Sequence, residues 1–302
     1  MSTRIAFIGL GHMGGPMAAN LVKAGYQVTG FDVVPAANEA ARQNGVETAG
    51  SAEAAAAGAA VVITMLQTGR QVLDVYSGRD GSGGALAAAA PGTLFLECST
   101  IAVEDAKQAH QAAETAGQRC LDAPVSGGVV GAVAGTLTFM AGGTEADFAQ
   151  AEPILQAMGK RIVHCGAAGA GQAAKVCNNL ILGVSMIAVC EAFVLGEKLG
   201  LEHQTLFDVA SNASGQCWAL TTNCPVPGPV PASPANRDYQ PGFAGALMAK
   251  DLGLALQALQ ATGVTAELGS RAAEIYRRFA EEGGADKDFS AIINQIRERS
   301  QG

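Results

Sequence analysis

The sequence predicts an α/β N-terminal domain built on a mainly parallel sheet, followed by an all-α C-terminal domain. From residue 4 to about 165, short apolar runs rich in β-branched residues alternate with alanine-rich helical patterns. That alternation is the mark of βαβ units whose sheet is covered on both faces. From about residue 168 the strand signal fades and long helical patterns take over. A glycine-rich turn also directly follows the first apolar run, at the strand-to-helix junction where open α/β sheets bind their ligands.

The expected strands are RIAFIG, QVTGFD, AAVVITML, GTLFLECST, QRCLDAP, LTFMAGG and RIVHCG. Between them lie helical patterns such as PMAANLVKAG, SAEAAAAG, VEDAKQAHQAAETAG and EADFAQAEPILQAMG. The helical half reads as 169–200, 203–212, 243–262, 265–282 and a shorter segment near 289–299. The prolines of residues 221–242 rule out a helix there and predict a long ordered loop. The expected domains are 1–166 and 167–302.

Composition narrows the function. The net charge of −8 gives no electrostatic footprint for a phosphate backbone, so nucleic acid is not an expected partner. The 7 cysteines form no C-x-x-C pair and read as reduced thiols of a cytoplasmic protein. The 4 histidines are scattered singly, so no metal site is expected. The start MSTRIAFIGLG shows no leader pattern, and the apolar run from Leu180 to Cys190 is too short to span a bilayer, so no membrane role is expected.

IAFIGLGHMGGPM carries Gly9-x-Gly11-x-x-Gly14 between the first strand and a helix ending near Gly25. The first glycine permits a tight turn, the second lets a pyrophosphate approach the backbone, and the third lets helix and strand pack closely. Leu10, His12 and Met13 complete this expected cofactor loop of a Rossmann-type domain. The second strand closes on Asp32, whose carboxylate would accept hydrogen bonds from the ribose hydroxyls and repel a 2′-phosphate. NAD is therefore the expected cofactor. Met65 and Leu66, and Thr100, stand at two later strand ends facing the same crevice.

Two further segments are unusual. Ser126, Gly127 and Gly128 follow a strand and could aim backbone N–H groups and a hydroxyl at a carboxylate. GAGQAAKVCNNLILG then places Lys175, Asn178 and Asn179 at i, i+3 and i+4 on one helix face within an otherwise apolar stretch. The lysine either snorkels to solvent from a frayed helix start or belongs to a polar site on a cleft wall.

The glycine loop, DAPVSGG with GTLTFMAGG, GAGQAAKVCNN, and LMAKDLGLA occur in the order that resembles the β-hydroxyacid dehydrogenases, over about residues 4 to 299. SGQCWAL, NCPVPG and KDFSAI are similar to the branch that oxidises 3-hydroxyisobutyrate to methylmalonate semialdehyde in valine breakdown. The resemblance implies Lys175 as the catalytic lysine, Asn179 as the asparagine beside the substrate, and Ser126, Gly127 and Gly128 as the carboxylate-holding loop. It implies that Lys250 closes over substrate and nicotinamide. It again implies NAD, because NADP-preferring relatives tend to carry Asn-Arg-Thr where this chain has Phe31-Asp32-Val33. Lys175 would then take the hydroxyl proton as hydride leaves the carbon.

Trp218 and Phe243 suggest an apolar wall for a methyl-bearing substrate, and plain core packing would account for them equally. A wall of that kind would make glycerate and serine poor substrates, since their extra polar group would lose water without a partner. The rival readings are a tartronate semialdehyde or succinic semialdehyde reductase of the same family, and a nucleotide-binding protein without turnover. The apolar helical domain suggests a homodimer or homotetramer.

Overall fold

The computed structural model describes residues 3–79 and 81–300. Met1 and Ser2, at the chain start read above for a leader, lie outside the described residues. The chain divides into two compact units, Met1–Lys175 and Val176–Gly302.

The first unit holds a sheet of strands β1 (Arg4–Ile8), β2 (Gln27–Phe31), β3 (Glu47–Thr48), β4 (Val61–Thr64), β5 (Leu94–Glu97), β6 (Arg119–Asp122), β7 (Val125–Ser126), β8 (Leu137–Gly142) and β9 (Gly159–Gly166). Its order is β3-β2-β1-β4-β5-β6-β8-β7, with β9 paired to β8. The pairs from β3 through β6 are parallel, and β8 runs antiparallel to both β6 and β7. The run β3-β2-β1-β4-β5-β6 is the doubly wound order, which reverses direction between β1 and β4 and opens a ligand crevice at their carboxyl ends.

The strands read as continuous apolar runs because both faces are covered. Ile5, Phe7, Val61, Ile63, Leu94 and Leu96 pack into one buried cluster. The alternate residues Ala6, Ile8, Val62 and Phe95 pack into another, as the two-residue period of a strand requires.

The second unit is helical. Its helices are His203–Ala210, Trp218–Thr221, Gly245–Thr262, Glu267–Phe279 and Ile292–Arg299, with the greater part of Ala170–Lys198. The expected loop at 221–242 contains a short 3₁₀ turn, Pro234–Arg237, and is tied across itself by the Tyr239 hydroxyl donating to the Pro225 carbonyl at 2.9 Å.

One sequence reading needs correction. The apolar run judged too short for a bilayer lies inside helix Ala170–Lys198, whose 29 residues are long and apolar enough to cross one by length and composition. Its Met186, Cys190, Phe193 and Val194 are instead buried against Leu220, Met248, Leu252 and Tyr276, in the core of the second unit.

Candidate active site

The turn after β1 is closed by sterics. Gly9 sits at φ +94°, and a Cβ there would stand 2.2 Å from the Met65 carbonyl oxygen. A Cβ on Gly14 would stand 1.9 Å from the carbonyl oxygen of Gly9. Gly11 differs, because a Cβ there would meet nothing within 4 Å, so the space above the loop is open to a ligand. Helix Gly14–Lys23 begins without a side-chain cap and without an acidic residue in its first turn. Its positive end therefore faces no protein carboxylate of its own. Leu10 is buried, His12 is exposed, and Met13 packs half-buried on the core.

Asp32 is held in one orientation. Its Oδ2 accepts the Leu10 N–H at 2.7 Å and its Oδ1 accepts the Val34 N–H at 2.8 Å. Each carboxylate oxygen keeps a lone pair for a further donor. Asn38 grips the Asp32 backbone from both sides, accepting its N–H at 2.9 Å and donating to its carbonyl at 2.6 Å. Asp32, Val33, Asn38, Arg42 and Ala49 line a shallow cavity beside the loop. These features fit a dinucleotide: glycines where Cβ atoms would collide, open space over Gly11, and a fixed carboxylate after the second strand.

The next strand ends are joined. The Met65 N–H donates to the Ile8 carbonyl at 2.9 Å, and the Leu66 N–H donates to Ser99 Oγ at 2.8 Å. Thr100 follows, half-buried.

The start of helix Ala170–Lys198 is stapled to the sheet. Asp122, at the end of β6, accepts the Gly169 and Gln172 N–H groups, both at 2.8 Å. Its Oδ1 also lies 3.1 Å from His110 Nε2. Beside it, burial pushes the Glu97 carboxyl up to about 8, against the hydrogen bonds from Ser99 and Gln172 and with the Asp122 charge adding to the rise.

Lys175 follows one turn later and is only 6% exposed, which excludes a snorkelling side chain. Gln172, Lys175, Val176 and Asn179 form the buried stripe of the helix here. Asn178, grouped above with Lys175 and Asn179, is exposed and donates to Asn179 Oδ1 at 2.9 Å. Positions i+3 and i+4 straddle the stripe axis, and only i+4 falls within it.

Ser126, Gly127 and Gly128 join β7 to helix Gly128–Ala134, with Gly127 at φ +130° and Gly128 at φ +62°. A side chain at either glycine would be strained.

In the second unit, Asn179 Nδ2 donates to Asp251 Oδ2 at 2.5 Å, and the Lys250 ammonium lies 3.7 Å from Asp251 Oδ1. Phe243 packs edge-on against Phe289 with ring centroids 5.7 Å apart, so it belongs to the rim of the helical core. Trp218 is 51% exposed and is not a core residue.

Sequence reasoning missed Asn38, Gln172 and Asp251. Only Asp251 had a usable signal: a lone acid beside Lys250 in an otherwise apolar helix. Among the described residues, no group of three or more histidine, cysteine or acidic side chains could hold a metal ion.

A doubly wound sheet with this glycine loop and an ordered carboxylate after β2 defines a nicotinamide-dinucleotide oxidoreductase. Residues 4–166 match the family model for the NAD-binding domain of 6-phosphogluconate dehydrogenase. Residues 169–296 match that for the NAD-binding domain of NADP-dependent 3-hydroxyisobutyrate dehydrogenase. The chain is 58% identical to a probable 3-hydroxyisobutyrate dehydrogenase of Mycobacterium tuberculosis, over 99% of each chain. It is 49% identical to an NAD-dependent L-serine dehydrogenase of Pseudomonas aeruginosa, again over 99% of each. The solved structure of the M. tuberculosis 3-hydroxyisobutyrate dehydrogenase with L-serine superposes with a TM-score of 0.93 at 59% identity, covering 98% of this chain and 100% of that one. The chain belongs to the 3-hydroxyisobutyrate dehydrogenase family of β-hydroxyacid dehydrogenases. It is an NAD-dependent hydroxyacid dehydrogenase acting on small substrates.

Proposed function

We propose that the enzyme oxidises (S)-3-hydroxyisobutyrate to methylmalonate semialdehyde, a step of valine catabolism, with Lys175 as general acid and base. The observation that carries this reading is a lysine 6% exposed, on the same buried helix stripe as Asn179. NAD, when bound, supplies the hydride acceptor at C4 of its nicotinamide. Gly9, Leu10, Gly11, His12, Met13 and Gly14 hold the pyrophosphate, Asp32 the adenosine ribose, and Met65, Leu66 and Thr100 the nicotinamide side. The backbone of Ser126, Gly127 and Gly128 holds the substrate carboxylate. Asn179 orients the hydroxyl, and Lys175 Nζ removes its proton as the C–H bond breaks. In the reverse direction the same ammonium returns the proton. Lys250 covers the site, and Trp218 and Phe243 contact the substrate methyl. Asp32 supports NAD over NADP, since its carboxylate would repel a 2′-phosphate.

A second reading, L-serine as substrate, is favoured by the 49% identical serine dehydrogenase and by the L-serine in the solved M. tuberculosis structure. Serine shares the carboxylate and hydroxymethyl group and replaces the methyl with an ammonium. The test is kcat/KM with NAD⁺ on 3-hydroxyisobutyrate, 3-hydroxypropionate, L-serine, glycerate and 4-hydroxybutyrate. Burial of the methyl is worth about 1 kcal/mol, so 3-hydroxyisobutyrate should exceed 3-hydroxypropionate several-fold. If serine exceeds both, the second reading replaces the first; if glycerate wins, the tartronate semialdehyde reductase reading does.

The same proposal includes a cytoplasmic homodimer or homotetramer. Supporting it, Ile181, Ala188, Ala192 and Leu195 form an exposed apolar stripe along the long helix, continued by the exposed Leu199 just past its end, a face suited to a second copy.

A further inference from the structure

Gln172 is wholly buried one turn before Lys175. Its carboxamide brackets Thr100, with Oε1 accepting the Ile101 N–H at 3.2 Å and Nε2 donating to the Ser99 carbonyl at 2.7 Å. Those are the groups that a neighbouring strand would bond. The other Nε2 hydrogen goes to Glu97 Oε2 at 3.1 Å, and Glu97 Oε1 accepts the Ser99 N–H at 2.7 Å. Ser99 Oγ in turn accepts the Leu66 N–H, so both strand-end loops connect to one helix side chain. The Gln172 backbone is itself pinned, through its bond to Asp122.

Burying an amide is unfavourable unless its oxygen and both its N–H groups find hydrogen-bond partners. Here they are, and every partner belongs to the Glu97–Ile101 segment. An apolar side chain could fill the same volume but could not hold both sides of Thr100. We infer that Gln172 is a positioning residue for hydride transfer: it fixes the Thr100 loop, and through Ser99 the Leu66 loop, relative to the helix turn that carries Lys175. The inference rests on the reading of Lys175 as the proton-transfer group and of Thr100 and Leu66 as nicotinamide contacts. Misplacing reacting groups by about 1 Å can lower a rate on the order of 10²-fold, so the signature belongs in kcat.

The test compares wild type, Gln172→Met, Gln172→Glu and Lys175→Ala. Gln172→Met keeps the volume and removes the hydrogen bonds. It should lower kcat by roughly 10- to 100-fold with the NADH Kd within about threefold, since glycine loop and Asp32 are untouched. The primary deuterium isotope effect on kcat should rise as hydride transfer becomes slower. Gln172→Glu keeps the acceptor for Ile101 but loses the donors while ionised, beside Glu97 and Asp122. Its kcat relative to wild type should recover as pH falls, when the carboxyl regains a donor; a role in filling space gives no such recovery. Wild-type-like kcat in Gln172→Met, or parallel loss of kcat, NADH binding and folding in both variants, overturns the inference. An inactive Lys175→Ala beside an unimpaired Gln172→Met removes Gln172 alone. An active Lys175→Ala beside an impaired Gln172→Met removes the lysine reading and leaves Gln172 positioning the Thr100 loop.

Discussion

Asn38 locks Asp32 by pairing with both its N–H and its carbonyl, at 2.9 and 2.6 Å, as a neighbouring strand would. Cofactor choice should therefore depend on both residues. Asp32→Ala should weaken NAD⁺ by about 1–3 kcal/mol, the worth of a charge-assisted hydrogen bond, and relax the bias against NADP⁺. Asn38→Ala should raise the KM for NAD⁺ several-fold and leave kcat unchanged. Side-by-side kinetics with the two cofactors decide it, and a wild type that already prefers NADP⁺ removes the assignment.

Lys175→Ala should lower kcat by roughly 10²–10⁴-fold, the usual contribution of a general acid–base group. NADH binding, measured by fluorescence titration, should survive because the glycine loop is untouched. More than about a tenth of wild-type kcat would take Lys175 out of proton transfer.

The two glycines of the turn should fail differently. Gly9→Ala forces a Cβ to 2.2 Å from the Met65 carbonyl and should destabilise the fold by about 2 kcal/mol or more. Gly11→Ala meets open space in the protein, so thermal stability should stay within about 0.5 kcal/mol of wild type while NADH binding falls. Equal melting temperatures for the two variants would contradict the geometry.

Glu97 makes stability depend on pH. Its carboxyl is raised from 4.5 to about 8 in the native chain, so between these values the folded state holds a proton that the unfolded state has lost. Stability should fall as pH rises through that window and level off above about 8. Denaturant midpoints for wild type and Glu97→Gln at several pH values test this, and the variant should show a flatter dependence. Parallel curves would remove Glu97 as the source.

Much of this was legible in the chain itself. The runs Ile5–Ile8, Val61–Ile63 and Leu94–Leu96 in β1, β4 and β5 are apolar at consecutive positions because both sheet faces are covered, and Gly9, Gly14 and Asp32 carry a recognisable spacing. Apart from Asp251, what escaped has no local signal. Glu47–Thr48 and Val125–Ser126 are two-residue strands that exist through their neighbours' hydrogen bonds rather than through propensity. Gln172 looks like helix filler, and its partners lie more than 70 positions away. Asn38 stands six residues beyond Asp32 and inside the next helix, Pro35–Gln43, so no periodicity of a single element links the two.

Asp122 carries a further consequence. By seating a buried carboxylate against the first N–H groups of helix Ala170–Lys198, the protein has occupied that helix's anion-attracting end with an anion of its own. Helix Gly14–Lys23 starts with no such occupant. One helix end is thus a permanent joint, whereas the other has no acidic residue in its first turn, so an incoming diphosphate would be favoured at the glycine turn and disfavoured at the helix that carries the lysine.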